Sequence, residues 1–118
     1  MKQLTIEPVS SISGEVTLPG SKSLSNRVLL LASLAFGTTE ISNLLESDDT
    51  GHMISALKQL GAKIWLEDNR VFVTGNSGLF RTPQRKTFFL GNAGTAIRPL
   101  TAILSLIPGI YKVDGDKY

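Results

Sequence analysis

One order of punctuation occurs twice along this chain, and it restricts the possible folds more than any other feature. Gly20 precedes an apolar run bearing Arg27, then Gly37, a short alternating stretch and Ser47-Asp48-Asp49. Gly91 precedes an apolar run bearing Arg98, then Gly109, a second such stretch and Asp114-Gly115-Asp116. The period is about 71 residues, the size of a strand–helix–strand–helix–hairpin unit that occurs once and begins again. The implied class is α/β.

Within the first unit, alternation predicts short strands at residues 4–8 and 15–18. Pro19 and Gly20 end the second of these. Ser21 is a good N-cap, because its hydroxyl can accept a free backbone N–H. The helix after it is expected over residues 22–35, with Leu24, Val28, Leu31 and Ala35 as its apolar stripe and Leu30 and Leu34 widening it. A strand follows at residues 38–41. Asp48 and Asp49 suit the capped start of a second helix, whose inner face is Met53, Ala56, Leu57 and Leu60. Residues 63–67 and 70–74 alternate around Asp68-Asn69 and read as a hairpin. Residues 79–87 carry little signal. A third helix is expected from about 95 to 106, with Pro99 near its first turns, and a strand at 110–113.

Composition narrows the function classes. Twelve basic and ten acidic residues give a net charge of +2, with no dense basic patch for nucleic acid. No apolar run approaches a membrane span. The chain has no cysteine, which removes disulfide and thiolate chemistry and fits a cytosolic setting. No His, Cys and carboxylate set has metal-ligand spacing, so no metal or cofactor is expected. Trp65, Phe88, Phe89 and Tyr111 are expected in cores.

Two stretches could carry chemistry. In the first, Lys22, Ser23, Asn26 and Arg27 stand on the opening turns of a helix, where free N–H groups and the positive helix end favour an anion. The other reading is a capped helix with solvated cations. In the second, Leu90-Gly91-Asn92-Ala93-Gly94-Thr95-Ala96-Ile97-Arg98-Pro99, small residues permit close approach of a carboxylate or phosphate to the backbone. That stretch also reads as a tight turn before a packed helix, with Arg98 in a salt bridge or cap. His52, beside Asp48 and Asp49, is either half of a proton-transfer pair or a solvated residue.

These stretches, with Asn43-Leu44-Leu45-Glu46-Ser47-Asp48-Asp49 between them, resemble the 5-enolpyruvylshikimate-3-phosphate (EPSP) synthase family over all 118 residues. The related UDP-N-acetylglucosamine enolpyruvyl transferase shares the fold but has a Lys-Asn pair near the first site, where this chain has Lys22-Ser23. The resemblance implies an inside-out α/β barrel of two globes built from βαβαββ units, of which this chain would form the N-terminal portion. Residues 1–20 would belong with the other globe; residues 21–118 would be the first unit and the start of the second.

The reaction implied is transfer of the enolpyruvyl group of phosphoenolpyruvate to the 5-hydroxyl of shikimate 3-phosphate, releasing phosphate. By resemblance Lys22 contacts both substrates and is catalytic. Ser23 and Arg27 bind shikimate 3-phosphate, and Gly94 lines the pocket for phosphoenolpyruvate and the inhibitor glyphosate. Asn26, Asp49, Asn92, Thr95, Arg98 and Pro99 line or support the pocket. The groups credited with proton transfer lie outside this chain. The complete enzyme would be a cytoplasmic monomer without cofactor, metal, nucleic acid or membrane partner. The alternative is a noncatalytic structural or binding fragment. The 118 residues by themselves are expected to be inactive, and to aggregate, self-associate or be ordered only beside the rest of the enzyme.

Overall fold

The computed structural model describes residues 2–80 and 85–117. Its elements are α1 (Lys22–Leu34), β1 (Thr38–Ile41), α2 (Asp48–Gln59), β2 (Lys63–Glu67), β3 (Arg70–Thr74), β4 (Arg85–Phe89), α3 (Gly94–Leu104) and β5 (Ile110–Asp114). The strands form two sheets. One has the order β1-β3-β2 and is antiparallel throughout; β4 and β5 form a parallel pair. Parallel strands need a crossover, and α3 supplies it. The β4–α3–β5 segment is therefore a strand–helix–strand crossover. The middle of the stretch at residues 79–87 lies outside the described residues.

Local chemistry accounts for most boundaries. Ser21 Oγ accepts the Leu24 N–H at the start of α1. At α2 the cap is Ser47 rather than an aspartate: Ser47 and Thr50 exchange side-chain and backbone bonds in a capping box. Asp48 and Asp49 sit in the first turn, where their charge favours the positive helix end. Asp68 and Asn69 both take positive φ, which matches the right-handed twist of β2 and β3. At the end of β5, Lys112 and the Gly115 N–H hold the Asp114 carboxyl below the usual carboxylate range.

The three helices pack on one another and on the sheets. Leu29, Met53, Leu57, Leu60, Phe88, Leu90 and Leu100 are fully buried between them. Four expectations need correction. Residues 2–20 form no strand; a strand without a neighbour leaves its N–H and C=O groups unpaired and gains nothing from extension. The stripe of α1 is displaced, with Ser25, Asn26, Leu29, Leu30, Ala32 and Ser33 buried while Leu24 and Leu31 face solvent. Small and polar side chains fill that inner face because α1 packs closely against both α2 and α3. Trp65 and Phe89 are outside the core: Trp65 stacks on Phe72 on the exposed side of the hairpin. Pro99 lies inside α3, so the Thr95 carbonyl has no N–H four residues on.

Candidate functional site

The N-termini of α1 and α3 stand side by side and enclose a cleft of about 240 Å³. Ser23 and Arg27 line it from α1; Gly94, Thr95, Arg98 and Pro99 line it from α3. Six of the residues singled out from sequence are therefore brought together, although their two groups are far apart along the chain. Each cap explains part of the site. The N-cap position of α3 is Ala93, which has no side-chain acceptor, and the N–H groups of Gly94 and Thr95 have no hydrogen-bond partner among the described residues. The first turns of α1 and α3 also carry no acidic residue. Neither Arg27 nor Arg98 forms an ion pair among the described residues; Arg98 makes only a long contact, Nε to the Gly94 carbonyl at 3.5 Å. Two unpaired guanidiniums, the Ser23 hydroxyl and an uncapped helix end suit a polyanion.

Lys22 does not line this cleft. Its ammonium is 3.0 Å from Asp49 Oδ2 in the first turn of α2, which ties the starts of α1 and α2 together. Asp49 thereby has a definite partner, and its part is to hold Lys22 rather than to cap. Asn26 is fully buried and donates through Nδ2 to Thr95 Oγ1 at 2.9 Å. Asn92 is exposed in the turn ahead of α3 and does not line the cleft.

Backbone space at the glycines sharpens the picture. A Cβ on Gly20 would come within 2.2 Å of the Asn43 carbonyl oxygen, so the turn before α1 admits no side chain. At Gly94 the nearest atom to such a Cβ is Arg98 Nη2 at 4.0 Å, and the methyl of an alanine would stand in the cleft mouth. Gly94→Ala is expected to leave the fold intact, with an unchanged thermal unfolding curve, while narrowing the cleft mouth by one methyl.

The sequence leaves His52 either solvated or half of a pair with Asp48 or Asp49. It is half-buried, edge-on to Phe89, and its Nε2 would lie 2.8 Å from a Cβ on Gly91. Nothing in the neighbouring sequence signals that contact, because Phe89 and Gly91 arrive from the second unit. Among the described residues, no group of three or more His, Cys, Asp or Glu could hold a metal ion, and no helix is long and apolar enough to cross a membrane.

A sequence model of EPSP synthase (3-phosphoshikimate 1-carboxyvinyltransferase) matches residues 6–118. The chain belongs to the EPSP synthase family. A relative from Pseudoalteromonas translucida, named 3-phosphoshikimate 1-carboxyvinyltransferase, is 56% identical over 98% of this chain and 28% of its own length. One from Sulfurovum sp., with the same name, shows the same identity and coverage. A solved EPSP synthase from Acinetobacter baumannii superposes with a TM-score of 0.73 at 27% identity, covering 88% of this chain and 24% of that one. The chain thus spans just over a quarter of the length of these relatives, and over that length its α/β fold is that of EPSP synthase. Both cleft walls fall within the segment matched to the family.

Proposed function

We propose that this chain carries part of the substrate site of a 3-phosphoshikimate 1-carboxyvinyltransferase. The observation that supports it is the cleft in which Arg27 and Arg98, both without a counter-ion among the described residues, flank the uncapped start of α3. In this reading Ser23 and Arg27 hold shikimate 3-phosphate, and Lys22 contacts both substrates from beside Asp49. Gly94 allows phosphoenolpyruvate to approach the free N–H groups, while Asn26, Asn92, Thr95, Arg98 and Pro99 shape and support the pocket. The 5-hydroxyl adds to C2 of phosphoenolpyruvate as a proton goes to C3. The tetrahedral adduct then loses a proton from C3 and expels phosphate, which leaves the enol ether. Fixed cations and backbone donors lower the barrier by stabilising charge at the phosphate and carboxylate. Residues 1–20 pair with a second globe, and the complete enzyme is a cytoplasmic monomer without cofactor.

A coupled phosphate-release assay with both substrates tests the reading. The complete enzyme carrying this segment should turn over and the 118-residue chain should not. If the complete enzyme released no phosphate, or if Arg27→Ala left both Michaelis constants unchanged, the assignment would fail. Turnover by the 118 residues alone would show that the needed groups are all within them.

A further inference from the structure

Four polar side chains are buried among the described residues: Ser25, Asn26, Ser33 and Thr50. Three have local duties. Ser33 bonds back to the Leu29 carbonyl within its own helix, Thr50 completes the α2 capping box, and Ser25 accepts the Leu45 N–H on the way to α2. Asn26 differs. Its one side-chain bond crosses to another helix, at Thr95, and its carbonyl oxygen Oδ1 is buried with no partner among the described residues. A half-satisfied amide at a fully buried position is a poor way to gain stability, and an apolar residue of similar shape would avoid the desolvation. Its value must lie in specifying geometry.

The location indicates which geometry. Asn26 adjoins Arg27 and follows Ser23 by one turn; Thr95 adjoins Gly94 and precedes Arg98 by one turn. The Asn26–Thr95 bond therefore joins the two walls of the cleft from behind. Arg27 and Arg98 carry like charge on opposite walls, and their repulsion favours opening wherever no anion is bound.

We propose that Asn26 is a positioning residue which, through Thr95, sets the separation of the two cleft walls and hence how well an anion can bridge them. The inference rests on the cleft being the substrate site. It assigns Thr95 a partner rather than a ligand, with its hydroxyl oxygen as the anchor that holds the first turn of α3 in place.

The test uses the complete enzyme and four variants: Asn26→Leu, Thr95→Val, their combination, and Thr95→Ser. Each of the first two should raise the Michaelis constant for phosphoenolpyruvate about 10-fold, while kcat changes by less than about 3-fold. The double variant should be no worse than the poorer single one, because both remove one bond. Thr95→Ser, which keeps the hydroxyl, should stay within about twofold of the parent. Effects of the two singles that multiply, a loss mainly in kcat, or Michaelis constants within twofold of the parent would overturn the proposal. Should Asn26→Leu fail to fold, the contrast between Thr95→Val and Thr95→Ser still decides it. Arg27→Ala separates the two levels. If it leaves substrate binding intact, the cleft assignment is wrong; if it weakens binding while the Thr95 variants do not, only the positioning role is wrong.

Discussion

Lys22→Ala in the complete enzyme is expected to cut kcat/KM by about 10- to 150-fold for each substrate, the equivalent of one charged hydrogen bond of about 1.5–3 kcal/mol. The ammonium stands on the first turn of α1, beside Ser23 on the cleft wall, and is anchored 3.0 Å from Asp49. Half of the Lys22 side chain is exposed, so the ion pair itself adds at most about 1 kcal/mol to stability, and the melting temperature should scarcely move. That separates lost binding from lost folding. Asp49→Asn keeps the cation but loosens its anchor, and should raise the Michaelis constants by a smaller factor. Initial rates with each substrate varied in turn would decide the matter. Values for Lys22→Ala within twofold of the parent would make Lys22 an ordinary solvated cation.

The 118-residue chain by itself is expected to self-associate at micromolar concentration. Residues 2–20 carry Leu4, Ile6, Val9, Ile12, Val16 and Leu18, each more than 70% exposed, and Leu24, Leu31 and Phe36 extend the apolar surface onto and beyond α1. Burying one such side chain is worth about 1.5–3 kcal/mol, so covering several would rival the whole stability of a small domain, about 5–15 kcal/mol. β1 is also an edge strand, with one row of N–H and C=O groups open to pairing. The radius of gyration is 18.4 Å, whereas a compact chain of this length would have about 13–14 Å, so the protein has not folded its first residues onto itself. Sedimentation velocity should show a concentration-dependent distribution. A monodisperse monomer whose amides are strongly protected from residue 4 onward would contradict this expectation.

Legibility in the sequence followed the range of the interactions. Caps and turns are local, so the Ser21 and Ser47 helix starts, the turn at Asp68-Asn69 and the inner face of α2 were readable from a few residues each. The recurrence of Gly, helix, Arg and Gly marks α1 and α3, with Arg27 and Arg98 at matching places on them. What could not be read depended on neighbours. Hydrophobic periodicity reports which faces of a helix are apolar, not which are covered, so it points Leu24 and Leu31 inward where Asn26 and Ser33 hold the buried positions. The strands expected at residues 4–8 and 15–18 have the right alternation but no partner here. In the cleft, the residue types of both walls were legible. That Thr95 answers to Asn26, and that His52 reaches Gly91, depends on how two units pack, which no local pattern encodes.

The absence of a side-chain cap on α3 has a consequence for how this protein can vary. Ser47 makes α2 self-sufficient, whereas Ala93 leaves α3 to be completed from outside. A serine or aspartate at position 93 would be worth about 0.5–2 kcal/mol to the unliganded fold, and it would occupy the donors that an anion otherwise takes. The gain in rigidity would come directly out of affinity. At this position selection for a sturdier protein and selection for a tighter ligand pull in opposite directions, and the anion acts as a removable piece of secondary structure.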